Sequence, residues 1–211
     1  SGKSTLVYLL AGLYPLQAGS ICWGNADIAT LDPEILRRAL AVVPQEPFLF
    51  SATIAENIAL GDPQATRAEI ESAAKIACVH DDIVRFENGY DTLVGERGVT
   101  LSGGQKQRIS IARALLLDPD FLLLDDSLSA VDAHTEQKIL AAFKALRAGR
   151  TTLIVSHRMS AVEHAETILV LENGEISARG THTDLLAKEG WYAQMVRYQQ
   201  WEESLEASTD E

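Results

Sequence analysis

The stretch FLLLDD at residues 121–126 decides the fold class. Four apolar residues run without interruption and end at two acids. A strand that is buried on both faces has this uniformly apolar character. Two further apolar runs, at residues 41–43 and 151–155, are separated from the first by segments of helical pattern. Strands that alternate with helices indicate an α/β fold with a mostly parallel sheet, covered by helices on both faces.

The segment between the first two strands of this sheet has a different pattern. Residues 52–117 are predicted to be mainly helical, and Thr66 and Glu69 have the spacing of a capping box, which marks a helix start. We therefore expect a helical subdomain over residues 52–117, inserted into a core made of residues 1–51 and 118–211. Beyond the third strand we expect a hairpin around residues 172–174, two further helices, and a frayed tail from Glu202.

The first residues carry part of a phosphate-binding motif. Ser1-Gly2-Lys3-Ser4 fits the last four places of G-x-x-x-x-G-K-[ST], in which backbone amides and the lysine hold phosphate and the serine hydroxyl binds Mg²⁺. The first glycine and the strand before it are absent, and the chain has no initial methionine. We therefore expect a fragment of a longer polypeptide, the alternative being a coincidental tetrapeptide.

Asp125 follows the buried run at the carboxyl end of its strand. Ligands of parallel sheets bind at that edge, so a carboxylate there is suited to hold Mg²⁺. The alternative is a solvated acid in a strand–helix turn.

Residues 101–105 read LSGGQ and open a helix. Ser102 is suited to cap that helix, and the two glycines allow the backbone to approach a ligand closely. Taken alone, the string also fits an ordinary capped helix. Together with Arg108 and the ARAL sequence at residues 112–115, however, it resembles the signature of ATP-binding cassette proteins.

This resemblance extends along the whole chain, in the family's order of motifs. The matching segments are the end of Walker A at Ser1–Thr5, the Q-loop at Gln45, the signature at Ser102–Gln105, Walker B at Phe121–Asp125, the D-loop at Ser129–Asp132 and the switch histidine His157. Residues 50–58 and Gly95–Gly98 resemble segments of the exporter branch, the latter its X-loop. The pattern is most similar to bacterial multidrug half-transporters that pair with a different half-transporter.

The resemblance implies a fold, a ligand and partners. The fold is a P-loop NTPase (RecA-like) core, and two cassettes face each other head to tail around two molecules of ATP with Mg²⁺. A transmembrane domain is expected upstream in the same chain, which places the cassette at the cytoplasmic face of the cell (inner) membrane. The implied function is ATP hydrolysis that powers export of a drug or lipid-like compound.

The resemblance also implies roles for single residues. ATP would be held in this chain by Ser1, Gly2, Lys3, Ser4, Thr5, Gln45, Asp125 and His157, with Ser4, Gln45 and Asp125 around the metal. Ser102, Gly103, Gly104 and Gln105 would reach the ATP of the partner. Catalysis would involve Asp126, His157, Lys3 and Gln45. The aromatic residue that stacks on adenine would precede Ser1.

Asp126 departs from the family pattern. The family's general base at this place is a glutamate, and a base must come within hydrogen-bonding distance of the proton it takes. An aspartate is one methylene shorter, so we expect a degenerate site that binds ATP and hydrolyses it slowly. The alternative is that the backbone adjusts and Asp126 works as an ordinary base.

Composition limits the competing functions. With 18 basic and 30 acidic residues the net charge is −12, which opposes general binding to nucleic acids. No apolar run approaches the roughly 18 residues of a membrane helix. Cys22 and Cys78 are expected to be buried small apolar residues. Two alternatives to the exporter are a soluble cassette ATPase acting in DNA repair or translation, and a regulatory module that binds ATP without hydrolysing it.

Overall fold

A computed structural model describes residues 2–95 and 99–209 of the chain. They divide into two compact units. The larger is Ser4–Val155, and the smaller begins at Ser156 and also includes the start of the chain through Lys3. The predicted division at residues 51/52 and 117/118 concerns a lobe within the larger unit and stays a prediction.

A three-stranded parallel sheet forms the centre of the larger unit. Its strands are β3 (Leu40–Val43), β4 (Phe121–Asp125) and β5 (Thr151–Val155), in the order β3-β4-β5. The residues of β4 from Leu122 to Asp125 are at most 1% exposed, as the uniformly apolar run predicts for a central strand. The predicted parallel sheet is confirmed, and each of its strands is followed along the chain by residues of the predicted site.

The chain before this sheet contains one helix, a small hairpin and a second helix. The helix α1 (Lys3–Leu10) is followed by β1 (Cys22–Trp23), β2 (Ala26–Asp27) and α2 (Pro33–Ala39). The strands β1 and β2 pair in antiparallel fashion. The expectation that Cys22 is buried is wrong, because a two-stranded hairpin leaves its side chain exposed.

In the described residues between β3 and β4, where the helical subdomain was predicted, there are four α-helices and two short 3-10 helices. The α-helices are α3 (Ile54–Ile58), α4 (Arg67–Ile76), α5 (His80–Ile83) and α6 (Gly103–Leu116). The predicted capping box of Thr66 and Glu69 is present. The helices α3 and α4 pack on α6, and their apolar side chains share one core with β3 and β4. Between β4 and β5 runs α7 (Ala133–Leu146), capped by Asp132.

The smaller unit pairs a hairpin with two helices. Its strands β6 (Ile168–Glu172) and β7 (Glu175–Gly180) are antiparallel, as predicted, and α8 (His182–Ala187) and α9 (Trp191–Thr209) follow. Leu185, Tyr192 and Val196 from the two helices pack against the hairpin in a separate small core. The backbone of α9 stays helical to Thr209, so the described residues from Glu202 do not show the expected fraying.

Among the helices of residues 2–95 and 99–209, none is both long enough and apolar enough to cross a membrane.

Candidate functional site

The predicted phosphate loop leads directly into α1. Lys3 and Ser4 are the first two residues of this helix, and Thr5 follows them. Gly2 has φ +86°, a backbone conformation that residues with a side chain rarely adopt. The amides of a first helical turn have no partner within the helix, so they are available to an anion. Ser1, which was also predicted to contribute, lies outside the described residues.

Gln45 and Asp125 leave the sheet at the same edge. The strands β3 and β4 are parallel neighbours with Val43 opposite Leu124, so Gln45 and Asp125 both lie at their carboxyl ends. Gln45 is exposed, whereas Asp125 is 1% exposed. The backbone thus places these two predicted metal ligands at one end of the central strands, where parallel sheets bind their ligands.

The carboxylate of Asp125 is incompletely satisfied. Its Oδ2 is buried and has no hydrogen-bond partner within the described part of the chain. Leaving a buried acceptor unpaired is costly, and a carboxylate more so than a neutral group. Such an oxygen is suited to bind a cation, or a water molecule that a cation holds. The Asp125 carboxylate therefore fits the predicted magnesium site. Ser127 Oγ, two residues further on, is buried and unpaired in the same way.

Asp126 is held in an unusual backbone conformation. Its φ is +47°, in the left-handed region that aspartate tolerates better than most residues. Its amide N–H donates a 2.8 Å hydrogen bond to the carbonyl of Val155, at the end of β5. Its side chain is half-buried. The candidate base therefore begins a loop that is fixed to the sheet at its first residue.

The LSGGQ segment forms the start of α6. Ser102 Oγ accepts a hydrogen bond from the amide of Gln105, and Gln105 Oε1 accepts one from the amide of Ser102, which completes a capping box. Ser102 and Gly103 are exposed, and Gly104 and Gln105 are half-buried. The cap pairs the amides of Ser102 and Gln105. The other amides of the first turn have no partner within the helix, so they are available to a ligand bound at its start.

Residues of the helical segment hold the start of α6 from one side. Asp82 accepts hydrogen bonds from Gln105 Nε2 at 3.4 Å and from Arg108 Nη1 at 2.7 Å. Arg108 also donates to the carbonyls of Gly104 and Cys78. The half-buried Arg108 thus links the LSGGQ backbone to α5 and to the turn before it.

Gln107 holds the start of α6 from the other side, and the sequence alone did not single it out. Its side chain is 4% exposed and bonds Ser129 and Ala130 in the loop after β4. A sequence signal does exist. Residues 107, 110, 111 and 114 recur at helical spacing, and all four are buried, so a glutamine in that row needs internal partners.

A second buried amide, that of Asn57, was also missed. Asn57 is 1% exposed, accepts from the amide of Phe50 at 2.8 Å and donates to the carbonyls of Phe50 and Thr53. Arg113 of α6 donates to the carbonyls of Asn57 and Phe48 and to Asn57 Oδ1. Burial lowers the pKa of the Arg113 guanidinium from its usual value. These bonds fix residues 48–50, where Phe48 and Phe50 form an exposed edge-to-face pair.

His157 belongs to the smaller unit, where its segment is fastened to α9. Gln199 donates from Nε2 to the carbonyl of His157 at 2.7 Å and accepts at Oε1 from the amide of Met159 at 2.9 Å. The side chain of His157 is exposed. Of the predicted exporter X-loop, Gly95 lies against Ser51, and residues 96–98 lie outside the described part.

No cluster of three or more histidine, cysteine, aspartate or glutamate side chains suited to a metal occurs in residues 2–95 and 99–209.

Comparison with known proteins gives consistent matches. The profile of the family described as "ABC transporter" matches residues 1–129. The multidrug resistance-like ATP-binding protein MdlA of Escherichia coli is 52% identical over 98% of this chain and 35% of its own length. The probable multidrug resistance ABC transporter ATP-binding/permease protein YheI of Bacillus subtilis is 48% identical over 95% of this chain and 34% of its own.

A solved structure shares the fold. The structure of a bacterial Atm1-family ABC exporter with ATP bound matches with a TM-score of 0.90 at 47% identity, over 94% of this chain and 35% of that one. The chain thus spans about a third of the length of these relatives.

Proposed function

Because the chain belongs to the ABC transporter family, as its motifs predicted, we propose that it is the ATP-binding and ATP-hydrolysing domain of an exporter. In this role it converts ATP hydrolysis into transport of a compound across a membrane. The relatives are named as multidrug resistance proteins and exporters, which favours an exporter over a cassette ATPase of DNA repair or translation.

The observation that carries the proposal is the buried, unpaired Oδ2 of Asp125 at the carboxyl edge of the parallel sheet. An orphaned carboxylate oxygen in that place has a function when a nucleotide with its metal is bound. Ser4, Gln45 and Asp125 would hold Mg²⁺, which supplies neutralisation of the phosphate charge. The neighbour solved with ATP bound supports ATP as that nucleotide.

The chain's own residues would then divide the work of phosphoryl transfer. The amides at the start of α1 and the ammonium of Lys3 would bind the phosphates, and Ser1, Gly2 and Thr5 would line the same loop. Gln45 and His157 would orient the attacking water and the γ-phosphate, and Asp126 would take the proton from that water. Positioning and charge neutralisation contribute most to the rate of phosphoryl transfer. The preorganised backbone amides at the start of α1 would therefore contribute to the rate as much as the general base does.

The exposed LSGGQ segment would act on the nucleotide of a second cassette. Ser102, Gly103, Gly104 and Gln105 present a capped, positively polarised helix start, which suits a γ-phosphate supplied by a partner. We therefore propose a head-to-tail dimer with a second half-transporter, and a transmembrane domain joined to this cassette at the cytoplasmic face of the inner membrane. The exposed Phe48 and Phe50, next to the Q-loop, would meet that domain.

The shorter carboxylate at position 126 supports a further distinction between the two sites of such a dimer. Asp126 would leave its own site slow, while the intact signature of this chain completes a faster site on a partner that has glutamate. If hydrolysis at this site were negligible, the site would act as a regulatory nucleotide sensor, which is the second candidate function.

The proposal is tested by ATP hydrolysis and transport in the whole transporter that contains this chain. Asp125→Asn keeps the shape of the side chain and weakens the metal site, so nucleotide binding should lose its dependence on Mg²⁺. Ser127→Ala, the matched control, removes the neighbouring unpaired hydroxyl and should leave binding unchanged. Magnesium-dependent binding that survives in Asp125→Asn would contradict the assignment.

A further inference from the structure

Gln107 uses both ends of its side-chain amide on one loop. Its Nε2 donates to Ser129 Oγ at 3.0 Å, and its Oε1 accepts from the amide of Ala130 at 2.9 Å. The backbone N–H of Ala130 can only donate, so it fixes which end of the amide faces it. With 4% of the residue exposed, water does not replace these bonds readily.

A close backbone contact seats the same loop on the first turn of α6. A Cβ built on Gly104 would lie 2.6 Å from the carbonyl oxygen of Ala130, so only glycine allows the two backbones to approach this far. Residues 129–130 are therefore held by Gly104 at the signature itself and by Gln107 one turn later.

The other end of this loop begins at the candidate catalytic carboxylates. The amide of Ser129 donates to the carbonyl of Asp126 at 3.3 Å, and Asp126 is itself tied to Val155. Only two residues, Ser127 and Leu128, thus separate the candidate base of this chain's own site from the segment that Gln107 holds. In a head-to-tail dimer, α6 and Asp126 serve different nucleotides.

From this geometry we propose that Gln107 is a positioning residue that couples the two nucleotide sites of the dimer, an inference that rests on the proposed function. Movement of the α6 start when it meets the partner's ATP is transmitted through Gln107 and Ala130 to the loop that carries Asp126. Coupling of this kind is a free energy shared between two sites, and it is observed as cooperativity in ATP.

The test compares variants of the whole transporter in lipid bilayers. Gln107→Met keeps the length of the side chain and removes both hydrogen bonds. Gln107→Glu retains acceptors for the Ala130 amide and for the Ser129 hydroxyl. Ser129→Ala removes the hydroxyl that accepts from Gln107 Nε2 and leaves Gln107 itself unchanged. This variant replaces Gln107→Met in the test if Gln107→Met fails to fold. Ser110→Ala changes another buried polar residue of α6 and is the control.

ATPase rate is measured against ATP concentration, and thermal unfolding is measured beside it. The proposal expects a Hill coefficient above unity in the wild type that falls to unity in Gln107→Met, falls partly in Ser129→Ala, and recovers in Gln107→Glu. Ser110→Ala should keep the wild-type value. A merely structural role would lower stability or rate and leave the Hill coefficient unchanged.

The outcomes separate the two proposals. A Hill coefficient that is equal in the wild type, Gln107→Met and Ser129→Ala overturns the coupling role while ATP hydrolysis upholds the proposed function. A wild-type transporter that does not hydrolyse ATP overturns both. A loss of cooperativity that Ser110→Ala reproduces would assign the effect to general disturbance of α6, and it also overturns the coupling role.

Discussion

The amide of Asp126 donates to the carbonyl of Val155, one residue beyond the paired Asp125 and Val155 of β4 and β5. This bond extends the contact between the two central strands past the end of β4. It also holds Asp126 at φ +47°, so the direction of its side chain is set by the sheet. A substitution at position 126 therefore changes the reach of the side chain more than the path of the backbone.

The first prediction concerns the reach of Asp126. In the whole transporter, Asp126→Glu should speed ATP hydrolysis at this site, because the added methylene brings the carboxylate to the attacking water. Asp126→Ala should reduce overall turnover only slightly, whereas loss of a working general base lowers a rate about 10²–10⁴-fold. The prediction is checked by measuring ATPase rates of the wild type, of both Asp126 variants and of a variant that lacks the partner's glutamate.

Two results would contradict the degenerate site. One is an equal, near-total loss of turnover in Asp126→Ala and in the variant of the partner's glutamate, which would identify Asp126 as an ordinary base. The other is an Asp126→Glu variant that is as stable as the wild type and hydrolyses ATP no faster, because the added methylene would then bring no gain in reach.

The second prediction uses the two neighbouring glycines of the signature. Gly104→Ala should destabilise the cassette, because its Cβ would lie 2.6 Å from a backbone oxygen that cannot turn away. Gly103→Ala is the matched control, since its Cβ would meet Ala130 Cβ at an ordinary 3.4 Å. In a helix, alanine is favoured over glycine by up to about 1 kcal/mol, so Gly103→Ala should be neutral or stabilising.

Urea unfolding of the two glycine variants measures the difference. A Gly104→Ala cassette as stable as Gly103→Ala would show that the loop at Ala130 moves freely and that the close backbone contact does not hold it on α6.

The regular elements were predictable from sequence because their signals are local. The uninterrupted apolar run of β4, the capping box of Thr66 and Glu69 and the Ser102 cap of α6 depend on residues a few positions apart, and all three are present. The bonds from Gln107 to Ala130 and from Arg113 to Asn57 join residues 23 and 56 positions apart. Such pairs follow from how the sheet and helices pack, which no local pattern specifies.

The candidate site divides in the same way. Asp125 was predicted from its place at the end of a strand and Gln45 from the resemblance of its segment to the Q-loop, and the parallel register puts both at one sheet edge. Sequence gave no sign that Asp125 Oδ2 would be left without a partner, because satisfaction of a buried atom depends on all its neighbours. The exposure of Cys22 was missed for a related reason, since it depends on how a two-residue strand with one neighbouring strand packs on the rest of the unit.

The third prediction concerns Asn57, whose buried amide organises residues 48–50. Asn57→Ala would leave the amide of Phe50 and part of the Arg113 guanidinium without their partner, the Asn57 side-chain oxygen. Each buried unpaired group costs about 1–3 kcal/mol, so the cassette should lose several kcal/mol of stability. Asn88→Ala, at an exposed asparagine of the same helical segment, should lose almost none. Chemical denaturation gives the free energy of unfolding of both variants. Similar losses of stability in Asn57→Ala and Asn88→Ala would contradict the role of Asn57.

The last prediction concerns acid stability and the capping box of α4. The hydroxyl and the amide of Thr66 both donate to Glu69, and these bonds hold the pKa of the Glu69 carboxyl below its usual value. A carboxylate with a lowered pKa in the folded state contributes stability that is present above its unfolded pKa, about 4.3 for glutamate. That contribution is lost as the pH falls from there through the lower, folded pKa.

Glu69→Gln keeps an acceptor for Thr66 and no longer titrates, so its free energy of unfolding should fall less steeply below about pH 4.3 than that of the wild type. Glu87→Gln removes the same charge from an exposed residue of the helical segment that caps no helix, and it controls for the loss of one negative charge. Urea unfolding at a series of pH values from neutral to acid measures the slopes. Parallel loss of stability in Glu69→Gln and the wild type on acidification would contradict the prediction. It would mean that Glu69 takes up protons equally in the folded and the unfolded chain, so the Thr66–Glu69 bonds would not depend on ionisation of the carboxylate.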